Sequence, residues 1–313
     1  MVPTPRLVIH IGYPKTASGW LQNGILKDEQ VGFFAPWGAP SSEAIAQFLI
    51  PNTFRYSGEQ ARQVFKPGLQ EAAKRGLVPI LSHEHLACNQ IRGRYNGKDV
   101  ADRIHAAFPE ARILIFIREQ KSMILSSYRQ YIRGSNGGVA TIQQVVGAEL
   151  RKRGFEAICR LDYLEYDLLI TYYQKLFGAD KVLVLPFELT KKQPKNVLNK
   201  ICSFAETKEI TKDLDYPARN VGLKAGTLAI KRRLNHIVKQ PTLGGLQRSF
   251  NLRLIDKISK GIDHLPLLNK IHERVEKSWI QFLYEYIGDY FHLSNQRTSE
   301  LIGIELADLG YDL

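Results

Sequence analysis

RLVIHIGYPKTASGWLQ, residues 6–22, runs from an apolar stretch into Gly12, turns through Pro14 and Lys15, and continues through small hydroxyl residues into a helical pattern. A strand that enters a glycine-led turn and leaves as a helix aims several backbone N–H groups, and the positive end of a helix dipole, at one point. That point suits a phosphate or a sulfate. Gly12 permits close approach and an unusual backbone angle, Pro14 stiffens the turn, and Lys15 supplies a mobile ammonium. Thr16, Ser18 and Gly19 add hydroxyl and amide donors at the first helical turn. An ordinary strand-to-helix turn with an exposed lysine would use the same residues. The nucleotide loop G-x-x-x-x-G-K-[ST] is a poor match, because GYPKTAS lacks its four-residue spacer and its Gly-Lys pair. The shorter turn suits a smaller cradle.

Further runs share the character of the first. RLVIHI (6–11), VPILS (78–82), RILIFI (112–117) and KVLVLPF (181–187) are nearly continuous in apolar residues, as strands buried on both faces are. Helical patterns follow at about 17–28, 98–108, 120–133, 163–177 and 194–205. This alternation predicts an α/β fold with a parallel central sheet flanked by helices, and ligands outside the carboxyl ends of its strands. VGFFAP (31–36) fits either a further short strand or a loop. Beyond about residue 222 the strand runs stop and the sequence reads as helices. The expected division is an α/β core over 1–222 with a C-terminal helical extension over 223–313. Lys231, Arg232, Arg233 and Lys239 in that extension would make a basic binding face, but a solvated helix face is the simpler expectation.

Over 313 residues, 44% are hydrophobic, enough for a sizeable core and unlike a disordered or fibrous chain. Lysine and arginine number 43 against 31 acids, a formal charge of +12 spread along the sequence. Such a balance favours an anionic ligand, an anionic polymer or an acidic surface. Familiar nucleic-acid motifs are missing, and no nucleic-acid partner is expected. Cys88, Cys159 and Cys202 have neither metal-ligand nor disulfide-framework spacing and are expected to be reduced and mostly buried. With no leader-like segment and no apolar run of membrane-spanning length, the expectation is a soluble, cytoplasmic protein.

The strand ILIFIRE delivers Arg118 where a magnesium-dependent NTPase places an aspartate. A cation there argues for a second anion and against a metal. A sulfuryl group carries less negative charge than a phosphoryl group, so lysine and amide donors can stabilise its transfer without Mg²⁺. IHIGYPKTASGWLQ resembles the 5′-phosphosulfate loop of sulfotransferases that use 3′-phosphoadenosine 5′-phosphosulfate (PAPS). ILIFIREQKSMILSSYRQYIR is similar to their 3′-phosphate segment, in which a strand-terminal arginine precedes a helical serine by eight residues; Arg118 and Ser126 have that spacing. KVLVLPFELTKKQPKNVLNKICSFA, PARNVGL and NQRTSELIGIELADLGY resemble later parts of bacterial members. One departure is Ala17-Ser18, where many members carry Gly-Thr.

The resemblance implies the sulfotransferase fold and transfer from PAPS to an acceptor hydroxyl, releasing 3′-phosphoadenosine 5′-phosphate (PAP). It implies that Lys15 serves the bridging oxygen. Thr16, Ala17, Ser18, Gly19 and Trp20, with Pro14 shaping the loop, would hold the phosphosulfate; Arg118 and Ser126 the 3′-phosphate; and Arg219 and Asn220 would approach the nucleotide. An acceptor hydroxyl needs a base. ILSHEHL places Glu84 first for that role, with His85 or His83 in reserve. Two histidines around a glutamate also suggest a metal, but adjacent residues at a strand end should diverge, so none is expected. The acceptor reads as a carbohydrate or lipid-linked glycan. The alternative is an NTP-dependent kinase with a degenerate phosphate loop.

Overall fold

The computed structural model describes residues 7–16, 18–27, 29–87, 89, 93–134, 137–148, 157–207, 222–236 and 250–313. Five strands, β1 (Val8–His10), β2 (Phe33–Phe34), β3 (Val78–Ser82), β4 (Arg112–Ile117) and β5 (Val182–Pro186), form one sheet in the order β2-β3-β1-β4-β5. Every pairing is parallel. The 31–36 segment is therefore a strand, though only Phe33 and Phe34 pair, with Val78 and Pro79.

The sheet is parallel because its strands are apolar on both faces. Along β4, Ile113, Ile115 and Ile117 enter one hydrophobic cluster, whereas Leu114 and Phe116 enter the other. Alternation with period two thus fills both sides, and a continuous apolar run results. Each of these fully buried side chains contributes about 1.5–3 kcal/mol of transfer free energy. Helices cover the sheet: α1 (Ser18–Asn23), α2 (Gly58–Arg75), α3 (Gly97–Ala107), α4 (Gln120–Arg133), α5 (Tyr166–Phe177) and α6 (Pro194–Ala205). Local chemistry sets their ends. Ser57 caps α2 by accepting from Gln60 N–H at 3.3 Å, and Gly76 stops it with a φ of 64°. Glu119 caps α4 by accepting from Lys121 N–H at 2.8 Å and Ser122 N–H at 2.7 Å.

Four further helices follow: α7 (Ala225–Asn235), α8 (Phe250–Ile262), α9 (Asn269–Ile287) and α10 (His292–Ile302). α7 and α9 pack on α4, and α10 packs on α5. Trp279, Leu283, Ile287 and Phe291 join the same cluster as Ile9 and Ile113. The basic stretch on α7 departs from the expected solvated face. Lys231 is only 1% exposed, and its Nζ donates to Arg133 O at 3.2 Å and to Asp256 Oδ1 at 2.6 Å. Arg232 Nη1 donates to Val139 O at 3.1 Å, and Arg233 is exposed. A buried lysine needs such partners, and the carbonyl end of α4 supplies one. Lys239 lies outside the described residues. Cys159 and Cys202 are buried free thiols, and burial pushes Cys159 up to about 12; Cys88 lies outside the described residues.

β1 lies at the centre, between strands reached by opposite chain directions. The loops leaving β1, β3 and β4 therefore share the carboxyl edge of the sheet, where such folds open a crevice.

Candidate active site

Beyond His10 the chain keeps pairing with β4, through Ile11 N–H to Leu114 O at 3.0 Å and Tyr13 N–H to Phe116 O at 3.3 Å. It then leaves the sheet at Pro14. Lys15 sits at a φ of 69°, the left-handed region, which costs a residue with a side chain about 1–2 kcal/mol. Thr16 Oγ1 closes the turn by donating to Tyr13 O. Gly12 is required sterically: a Cβ there would lie 2.7 Å from His10 Nε2, 3.2 Å from Thr16 Oγ1 and 3.3 Å from Phe116 Cβ. Ser18 is buried and its Oγ has no hydrogen-bond partner. Pro14 is buried, Trp20 half-buried and Gly19 exposed; Ala17 lies outside the described residues.

Arg118 leaves the end of β4 and reaches this turn. Its Nη1 donates to Lys15 O at 3.1 Å, its guanidinium lies 4.8 Å over the Phe187 ring, and its buried Nε has no partner. Its own carbonyl accepts from Tyr166 Oη at 2.6 Å. Burial lowers the Arg118 pKa, opposed chiefly by Glu188. Glu188 is itself raised by burial while it accepts from Glu119 N–H and Tyr311 Oη, both at 3.1 Å. Arg118 remains charged throughout, as arginine does in proteins.

The Lys15 ammonium is lowered by burial first, then by Arg133 and Arg118, with Glu84 opposing them. The turn after β1, the ends of β3 and β4, and the last residue of α4 thus bring Lys15, Glu84, Arg118 and Arg133 into electrostatic reach. Sequence reasoning does not single out Arg133, because a basic residue in the last turn of a helix is ordinary.

Eight residues beyond Arg118, Ser126 is half-buried on α4. Its neighbour Ser127 points about 100° away into a small apolar cavity with Ile124, Tyr128, Tyr131, Val145, Ile158 and Cys159. Arg219 and Asn220 lie outside the described residues.

The end of β3 departs from expectation. A short 3-10 turn over Glu84–Leu86 folds the segment back, so ligand atoms of His83, Glu84 and His85 lie within 4.8 Å of one another and do not diverge. The histidine lone pairs are nevertheless in use. His83 Nδ1 accepts from His85 N–H at 3.1 Å, and His85 Nε2 accepts from Asn89 Nδ2 at 2.7 Å. Each neutral ring then carries its hydrogen on the other nitrogen, leaving Glu84 as the group of the three with a free acceptor. Burial lowers the His83 pKa, opposed by Glu84.

His10, inside the opening apolar run, is fully buried beside the turn. Gln22 Nε2 donates to Ser82 Oγ at 3.1 Å, and His10 Nδ1 lies 2.7 Å from the same oxygen. His10 Nε2 lacks a partner and faces Gly12. Burial pulls His10 down to about 4. The sequence signal is a lone polar residue in the middle of a buried strand.

A profile described as the sulfotransferase family matches residues 42–211, more than half of the chain. The chain belongs to the sulfotransferase family. No curated protein matches it in sequence. A sulfotransferase from Alicyclobacillus acidocaldarius shares its fold, with a TM-score of 0.55 and 16% identity, over 97% of this chain and 98% of that one. The sulfotransferase domain from the Synechococcus PCC 7002 olefin synthase gives a TM-score of 0.41 at 13% identity, over 84% and 96% of the two chains. A mouse sulfotransferase complexed with PAP gives 0.38 at 13% identity, over 90% and 89%. Within this sulfotransferase the matched stretch carries Glu84, Arg118 and Ser126, and the Lys15 turn precedes it.

Proposed function

We propose that the protein transfers the sulfuryl group of PAPS to an acceptor hydroxyl and releases PAP. The observation that carries this reading is the hydrogen bond from Arg118 to the Lys15 carbonyl, which makes the two motifs one site. Unsatisfied buried donors fit an anionic ligand there: Ser18 Oγ at the start of α1 and Arg118 Nε are both without protein partners. Lys15, Thr16, Ser18 and the amides around Gly19 would hold the phosphosulfate, with Pro14 and Trp20 framing the turn. Arg118 and Ser126 would hold the 3′-phosphate, the charged contact being the stronger.

In the reaction, the acceptor oxygen forms a bond to sulfur as the bond between sulfur and the bridging phosphate oxygen breaks. The electron pair leaves with PAP, and the Lys15 ammonium neutralises the charge that develops there. Burial, with Arg133 and Arg118 beside it, lowers its pKa, which makes the ammonium a better proton donor to that oxygen. The acceptor proton goes to Glu84, whose carboxylate has the free lone pairs that His83 and His85 lack. No described helix is long and apolar enough to cross a membrane. The free, buried thiols suit a reducing, cytoplasmic setting. The acceptor class is a carbohydrate or a lipid-linked glycan, an acidic one suiting the formal charge of +12.

Calorimetric titration with PAP, and separately with ATP and Mg²⁺, tests the donor. The expected result is metal-independent binding of PAP, reduced in Lys15→Ala. Tight binding of Mg-ATP without PAP binding would assign the site to a kinase.

A further inference from the structure

α8, the connecting turn Pro266–Leu268 and the start of α9 form a helix-turn-helix hairpin whose two helices both lean on α7. Its inward face is buried through Ile255 and Ser259 on α8 and His272 and Trp279 on α9. Its outward face is apolar where solvent should be. Leu254 and Ile258, one turn apart, are 48% and 44% exposed; Leu265 and Ile271 are 47% and 46% exposed; Leu267, in the connecting turn, is 87% exposed. Isolated exposed leucines are normal, but five large aliphatic side chains in one hairpin of eighteen residues are a patch.

The charges around this patch are one-sided. Three of the hairpin's acids are already engaged: Asp256, its side chain 42% exposed, pairs with Lys231 at 2.6 Å, the buried Asp263 accepts from Lys224 N–H at 2.9 Å, and Glu276 pairs with Arg129. Lys257, Lys260, Lys270, Arg274 and Lys277 are exposed and have no acidic partner among the described residues, with Glu273 the exposed acid between them. Apolar side chains at the tip with a cationic surround form the composition of an element that lies in an interface with anionic lipid. Among the described residues, five exposed, unpaired cations against one exposed, unpaired acid favour an anionic lipid surface as the occupant.

We infer that this hairpin docks the protein on an anionic lipid surface, with Leu265 and Leu267 entering the headgroup region and the lysines facing lipid phosphates. The patch is tied to the candidate active site. Asp256 on α8 pairs with Lys231, and Lys231 donates to the carbonyl of Arg133, whose guanidinium acts on Lys15. Resting on the proposed function, docking would bring the protein to a surface that can carry a lipid-linked acceptor.

The test is flotation of the purified full chain with vesicles of phosphatidylcholine alone and of phosphatidylcholine with phosphatidylglycerol. No PAPS is present, so the outcome is independent of the proposed transfer reaction. Wild type should float with the phosphatidylglycerol vesicles and stay free with phosphatidylcholine. Lys257→Gln with Lys260→Gln should lower the bound-to-free ratio on the order of thirtyfold. Leu265→Ser with Leu267→Ser should lower it by about tenfold or more at unchanged net charge. Both variants alter exposed side chains and should keep the wild-type Tm, measured alongside. Failure of wild type to bind the anionic vesicles, or wild-type binding by the leucine variant, overturns the inference. A dimer in solution that the leucine variant dissociates, with no vesicle binding, assigns the face to a second copy of the chain instead.

Discussion

Arg118→Met separates the bond that Arg118 makes to the Lys15 carbonyl from the 3′-phosphate contact proposed for it. The methionine keeps an apolar stem over Phe187 and removes both the charge and the donor to Lys15 O. Loss of the 3.1 Å bond to that carbonyl loosens the turn, and a hydrogen bond from a charged donor is worth about 1.5–3 kcal/mol. That loss falls on any ligand the turn holds, so adenosine 5′-phosphate and PAP should each weaken by up to about ten- to hundredfold. The proposed charged contact to the 3′-phosphate would be worth about 1.5–3 kcal/mol and would form with PAP alone. PAP should therefore lose a further ten- to hundredfold, from about 1.4 kcal/mol per tenfold. The assay is calorimetry of both nucleotides against both proteins, with Tm as the control because Glu188 loses its nearest buried cation. Equal losses for the two nucleotides would mean that Arg118 only braces the Lys15 turn. No loss for either would remove the arginine from the site.

Two further predictions concern stability. Lys15→Ala and Lys15→Gly both delete the ammonium, but only glycine relieves the φ of 69°; the glycine variant should be the more stable by roughly 1 kcal/mol in urea titration, and equal stabilities would show the turn to be unstrained. Burial holds His10 at about 4, below the 6.5 of an ordinary histidine, so the unfolded chain takes up a proton that the folded chain refuses. Stability is full above about pH 6.5 and is lost as the pH falls towards 4. Tm of the wild type should fall over that window more steeply than that of His10→Gln, and parallel curves would place the acid sensitivity elsewhere.

What the sequence makes legible depends on how local the cause is. The sheet is readable because two-sided burial writes itself as unbroken apolar runs, and Ile113 to Ile117 do fill both clusters. The ends of α4 and α6 fall at 120–133 and 194–205 as the pattern predicts. β2 is ambiguous in sequence because two paired residues leave no period to detect. The geometry at Glu84 is misread for a different reason. Alternating side-chain directions hold only while the chain is extended, and the 3-10 turn begins at Glu84 itself. Lys231 looks like its neighbours Arg232 and Arg233, yet it is buried, because its partners are a carbonyl 98 residues earlier and an aspartate on the next helix. Nothing local distinguishes it.

The same contrast explains how the site is assembled. The stretch shared with the sulfotransferase family begins after the Lys15 turn and contains the end of β4, so sequence similarity over that stretch does not join them. What joins them is the position of β1 between β3 and β4. Register pairs His10 with Ser82 on one side and with Leu114 on the other. The residues that follow these strands must then arrive together: the Lys15 turn, Glu84 from one neighbour and Arg118 from the other. The bonds of Ile11 and Tyr13 to β4 carry the chain two residues further along that strand than β1 itself extends, which brings the Lys15 carbonyl to the Arg118 guanidinium. A change that slipped β1 against β4 by one residue would turn its buried face outward. It would therefore destroy the core and the anion site at once, which is why the opening run of apolar residues and the turn behind it act as one unit.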